Sequence, residues 1–124
     1  MTLLVGGAHQ GKLPYALEKL GVTGAQVAYD PISAADKPIF AALETWLKGE
    51  TDPLPALEGL LEKNPAVVIL CDEVGCGVVP LDKQEREWRE RVGRTCCYLA
   101  QRAQRVERLL CGIPMVLKGE LTWN

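Results

Sequence analysis

The chain has 124 residues, 48% hydrophobic and 24% charged, which is enough apolar material for one core in a single domain over residues 1–124 and too short for two ordinary domains. Its 14 lysines and arginines face 16 aspartates and glutamates, and a formal charge of -2 gives no overall attraction to nucleic acid or to an anionic membrane surface. The longest apolar runs, Leu3–Val5 and Ala66–Cys71, fall far short of the roughly 20 residues a membrane-spanning helix needs; the opening residues resemble neither a secretory signal nor a transit peptide, so a cytoplasmic protein is expected.

Short apolar runs alternate with helical patterns, which predicts an α/β domain on a largely parallel sheet. Leu3-Leu4-Val5 is a first strand and Gly6–Gly11 a glycine-rich turn. Tyr15, Ala16, Leu17 and Leu20 then carry a helix that stops at Gly21. Gln26–Tyr29 is a short second strand ending in Asp30-Pro31, and the spacing of Ile39, Phe40, Leu43, Trp46 and Leu47 predicts a helix over 36–47, closed by Gly49. Pro53 and Pro55 open another helix, with Leu57, Leu60 and Leu61 inward, which Asn64-Pro65 ends. The unbroken run Ala66–Cys71 is a central strand covered on both faces. Gly75, Gly77 and Pro80 mark a loop, and a long helix begins near Asp82 with Trp88, Val92, Cys96, Leu99, Ala103 and Val106 in one apolar stripe. Leu109–Cys111 is a candidate fourth strand and Met115–Leu117 an edge strand.

Every arginine lies between Arg86 and Arg108. Two readings fit that segment. Interleaved Asp82, Glu85, Glu87, Glu90 and Glu107 can pair with the cations at helical spacing on a solvated face, or a few arginines near the helix start can reach nucleotide phosphates. The cysteines, Cys71, Cys76, Cys96, Cys97 and Cys111, are odd in number and His9 is the sole histidine, so small core residues and an exposed thiol are expected in place of a disulfide framework or zinc site.

Gly6-Gly7-Ala8-His9-Gln10-Gly11-Lys12 fits the phosphate-loop pattern G-x-x-x-x-G-K, directly after a strand and before a helix. Glycines let the backbone wrap around phosphate, loop amides and a helix start meet its oxygens, and lysine adds a mobile positive charge. A plain glycine-rich turn is the competing reading. The pattern's usual hydroxyl after the lysine is Leu13, and Pro14 brings no N–H. Asp72 and Glu73 end the central strand, where such proteins place the acid that holds magnesium or orients a nucleophile. Lys12, Asp72 and Glu73 are thus the candidate catalytic residues, with Asp72 and Glu73 as metal ligands. Gly6, Gly7, Ala8, His9, Gln10, Gly11, Lys12 and Leu13 form the candidate nucleotide cradle.

Glu73-Val74-Gly75-Cys76-Gly77-Val78-Val79-Pro80, followed by Arg91-Val92-Gly93-Arg94, resembles the E-V-G-x-G-[IV]-V-P stretch and arginine-bearing helix of the adenosylcobinamide kinase and adenosylcobinamide-phosphate guanylyltransferase family. Gly6–Leu13 is similar to that family's G-G-A-R-S-G-K-S loop, and Cys111-Gly112-Ile113-Pro114 to its S-G-I-P. The resemblance covers the N-terminal loop and Ala66 to Lys118. It implies a three-layer α/β fold on a mostly parallel central sheet, with P-loop NTPase-like (RecA-like) topology. It also implies a purine nucleotide, ATP or GTP, bound with Mg2+, and phosphorylation of the aminopropanol hydroxyl of adenosylcobinamide in cobalamin biosynthesis or corrinoid salvage. A homo-oligomer is implied too. The family's guanylyl transfer runs through a histidine between the loop and the E-V-G stretch, and this chain has no histidine between Lys12 and Glu73. A catalytically degenerate nucleotide- or corrinoid-binding protein of the same fold is the alternative.

Overall fold

The computed structural model describes residues 1–74 and 82–123; the glycine-rich loop read at Gly75, Gly77 and Pro80 lies outside them. One six-stranded sheet organises the chain in the order β2-β3-β4-β1-β5-β6. Strand β1 (Thr2–Gly6) lies at its centre, parallel to β4 (Val68–Asp72) on one side and β5 (Arg105–Leu110) on the other. The short strands β2 (Val27–Ala28) and β3 (Ile39–Phe40) continue the parallel sheet, and β6 (Ile113–Lys118) closes it as an antiparallel edge. Helix α1 (Lys12–Leu20) covers one face over Leu4, Ile39, Val68, Leu70 and Leu109. Helices α3 (Leu43–Trp46), α4 (Leu54–Lys63) and α5 (Lys83–Arg102) cover the other, over Leu3, Phe40 and Ile69. The short α2 (Pro31–Ala34) packs beside α4 and brings Ala34 into the same core. These three layers on a mostly parallel sheet are the expected P-loop NTPase-like fold. Among the described residues no helix is long and apolar enough to cross a membrane.

Both main helices start as their sequences dictate. Gly11 and Gly21 bracket α1, each in the left-handed region, and Pro14 sits in the first turn, where a missing N–H breaks no helical bond. Asp82 caps α5 by accepting from the Gln84 N–H at 2.8 Å.

Two segments differ from the sequence reading. The helix expected over 36–47 is instead β3, a turn and α3. Pro38 has no N–H to give a helix, and its carbonyl accepts from the Val68 N–H at 2.9 Å, which aligns Ile39 and Phe40 with β4. Ile39 and Phe40 then enter opposite cores, as successive strand residues must. Further along, α5 ends at Arg102, and Val106 of the expected helical stripe belongs to β5. That strand begins well before the expected Leu109, because Arg105 and Glu107 are buried in it as a pair 3.2 Å apart.

The pair belongs to a closed cluster beneath α1. Glu107, 1% exposed, accepts from the Tyr15 hydroxyl at 2.5 Å, from Arg105, and from the Trp123 indole at 2.6 Å. Arg105 also donates to the carbonyls of Glu120 and Thr122, each at 2.6 Å, which fastens the segment after β6 to the sheet.

Candidate functional site

Ligands of open α/β sheets bind beyond the carboxyl ends of the strands. There the chain leaves β1 through residues 6–11 and enters α1. Two positions in this bend require glycine. A Cβ on Gly6 would stand 2.6 Å from the Leu109 carbonyl oxygen, and Gly11 holds a φ of +89°. His9, at the crest, is also left-handed with φ 60°. Gln10 ties the bend to the β5–β6 turn: its side-chain oxygen accepts from the Cys111 N–H at 2.6 Å and its carbonyl from the Gly112 N–H at 2.9 Å. Among the described residues, the N–H groups of Ala8, His9, Gln10 and Gly11 have no protein acceptor, and no side chain caps α1. A bend of this kind at a helix start offers donors suited to an anion.

Lys12 lies under the bend and is 7% exposed. Its ammonium donates to the carbonyls of Gly6 at 3.2 Å and Gly7 at 2.8 Å, and pairs with Asp72 Oδ1 at 2.7 Å. All three of its protons are thus directed inward. Asp72 and Glu73, adjacent in sequence, take different partners. Asp72 joins Lys12 at the cavity, whereas Glu73 is held by Arg108 through two hydrogen bonds of 2.7 and 3.1 Å. The Arg108 guanidinium keeps the Glu73 carboxyl below the usual glutamate range.

A cavity of about 500 Å³ opens beside the bend. His9, Gln10, Gly11, Lys12, Leu13 and Asp72 line it, as does Glu44, a residue absent from the sequence-based candidates; Glu73 does not. Gly6, Gly7 and Ala8 form the rising limb behind it. Glu44 is 9% exposed, and its Oε1 accepts from the Asp72 N–H at 2.8 Å while Oε2 accepts from the Thr45 hydroxyl at 3.1 Å. Its backbone is fixed from α5, where the Trp88 indole donates to the Glu44 carbonyl at 2.8 Å and Arg91 to the Leu47 carbonyl at 2.7 Å. The signal that could have found Glu44 is a lone acid between Leu43 and Trp46 in an otherwise apolar segment. The carboxylates of Asp72 and Glu44 are hard oxygen donors of the kind magnesium takes alongside substrate phosphates, whereas Leu13 offers no oxygen. Among the described residues no group of three or more such side chains could form a metal cage alone.

Three cations of α5 make the i,i+4 pairs that the solvated-face reading expects. Lys83 with Glu87, Arg89 with Glu85 and Arg94 with Glu90 pair at i,i+4, and Arg91 is engaged by α3. None of these lines the cavity beside the bend. Cys71 is buried, Cys97 and Cys111 are exposed, and Cys76 lies outside the described residues. Cys71 and Cys96 are both free, and the neighbouring Cys96 thiol, then burial, push the Cys71 thiol up.

The fold, three layers on a mostly parallel sheet, places the chain among α/β proteins with a P-loop NTPase-like architecture. A family model described as cobinamide kinase / cobinamide phosphate guanyltransferase matches residues 41–117, more than half of the sequence, and the chain belongs to that family. The matched range holds Glu44, Asp72 and Glu73 and begins after the glycine-rich bend. Among curated proteins, the chain is 38% identical over 74 residues to the bifunctional adenosylcobalamin biosynthesis protein CobP of Pseudomonas aeruginosa. That match takes in 60% of this chain and 42% of the relative, less than half of its length. The chain is also 34% identical over 74 residues to cytokinin dehydrogenase 5 of Oryza sativa subsp. japonica, covering 52% of this chain and 14% of that protein.

Proposed function

We propose that this chain binds a purine nucleoside triphosphate, ATP or GTP, over Gly6–Lys12 and transfers its terminal phosphoryl group to the aminopropanol hydroxyl of adenosylcobinamide, in cobalamin biosynthesis or corrinoid salvage. One observation carries this reading: four N–H groups without acceptors among the described residues stand at the start of α1, above a buried ammonium. In this reading the bend acts as a P-loop. Its N–H groups and the positive end of α1 hold the phosphate oxygens. Lys12, positioned by Gly6, Gly7 and Asp72, exchanges part of its inward bonding for the β and γ phosphates. Catalysis is then mainly orientation and charge stabilisation. Bound magnesium supplies neutralisation of phosphate charge, and Asp72 and Glu44 are the carboxylates that would hold it. Tyr29, 59% exposed on the cavity wall, offers a ring to the acceptor substrate.

Leu13 and Pro14 favour a second reading, a nucleotide- or corrinoid-binding protein of the same fold without turnover. Calorimetric binding of ATP, GTP and adenosylcobinamide, with and without magnesium, combined with a labelled γ-phosphate transfer assay, separates the two. Binding with transfer to the hydroxyl supports the kinase. Binding without transfer supports the second reading. No nucleotide affinity overturns the nucleotide site, and no affinity for any of the three ligands overturns both readings.

A further inference from the structure

The cavity beside the bend carries more negative charge than a polyphosphate site can use alone. Lys12 contributes one positive charge there, and the Asp72 carboxylate cancels it at 2.7 Å. Glu44 then remains, 9% exposed, lining the same cavity, and among the described residues no cation lies within ion-pair distance of it. Residues 75–81 hold no lysine, arginine or histidine that could supply one. A nearly buried carboxylate without a countercharge is costly to keep, and the two neutral donors that hold Glu44, the Asp72 N–H and the Thr45 hydroxyl, orient it without cancelling its charge. Each carboxylate oxygen keeps a second lone pair.

We infer that Glu44 is the metal-facing carboxylate of this site, and that it makes the cavity accept a nucleoside triphosphate as its magnesium complex and reject the metal-free polyanion. The inference rests on the nucleotide reading above and deepens it, making Glu44 the group that selects the metal-bound form of the ligand. Where Leu13 has removed the hydroxyl that would meet the metal from α1, the oxygen donor comes from α3 across the cavity. Magnesium binds through one or two carboxylates and substrate phosphates, so a pair of acids suffices. The rigid seat of α3, held by Trp88 and Arg91, keeps that oxygen at a fixed place.

The test is calorimetric titration of ATP and of GTP into the whole chain, in magnesium and in EDTA, for the natural protein, Glu44→Gln and Glu44→Asp. Gln keeps an oxygen for the Asp72 N–H and removes the charge. The variant should therefore lose affinity for the magnesium complex by about tenfold and gain affinity for the metal-free nucleotide by a similar factor, a change of sign that loss of structure cannot mimic. Glu44→Asp keeps the charge and shortens the reach. It should bind metal-free nucleotide as the natural protein does, and the complex more weakly. Equal effects of Glu44→Gln in both buffers, or none in either, would overturn the assignment of Glu44 while leaving the nucleotide site standing. Absence of binding by the natural protein in both buffers would overturn the nucleotide reading and this inference with it.

Discussion

Two groups of buried charge occupy opposite sides of β1, and they differ in how they are completed. Under α1, Glu107 and Arg105 are satisfied by Tyr15, Trp123 and two carbonyls of the segment after β6. At the carboxyl end of β4, Lys12 and Asp72 satisfy each other, but among the described residues Glu44 has no cation partner and the bend's N–H groups have no protein acceptor. The first arrangement is complete without a ligand. The second lacks a countercharge and acceptors, both of which a metal-bound polyphosphate supplies. Both hold buried charge, so openness of the partner set is what distinguishes a site from a structural cluster.

Glu107→Ala probes the closed group most severely. It leaves Arg105 buried beside no anion, and urea unfolding should show a loss of about 3–5 kcal/mol with nucleotide affinity unchanged. An equal loss of affinity would show that the two groups act as one. Lys12→Ala strikes the open group. Calorimetry should show nucleotide affinity reduced by roughly 100-fold, the size of a charge-assisted contact to phosphate, and an unchanged affinity would remove the bend from consideration. A subtler contrast lies in alkaline solution. Burial first, then the bond to Glu107, raises the Tyr15 phenol from 10.0 to about 12. Folding thus favours the protonated phenol, and its contribution to stability is complete below pH 10.0 and fades as the pH climbs to about 12. Denaturation curves across that window should lose this slope in Tyr15→Phe. The smallest effect belongs to the exposed face of α5. Removing Glu90, whose partner Arg94 is 3.7 Å away, should change stability by less than about 0.5 kcal/mol and leave nucleotide binding untouched.

The central strands and the two capped helices were legible because their signals are local. β4 is an unbroken apolar run, Gly11 and Gly21 bracket α1, and Asp82 caps α5. What escaped was set by tertiary pairing. Ile39 and Phe40 share helical spacing with Leu43 and Trp46 by coincidence, and pairing with β4 on one side and β2 on the other makes them a strand. Arg105 and Glu107 disguised the start of β5 because charge normally marks a surface, and here two charges cancel inside. The acids at the end of β4 were legible as a pair, but neighbouring residues on an extended chain point apart, so Glu73 went to Arg108 and Glu44 joined Asp72 at the cavity. Nothing in the linear order of residues announces that exchange.

The anchorage of Gln10 joins the crest of the bend to the tip of the β5–β6 hairpin, where Cys111 and Gly112 both adopt left-handed backbone. Its effect is that of a tendon between the sheet's outermost ribbon and the rim of the cavity. Two short bonds thus link ribbon and rim directly, apart from the apolar core.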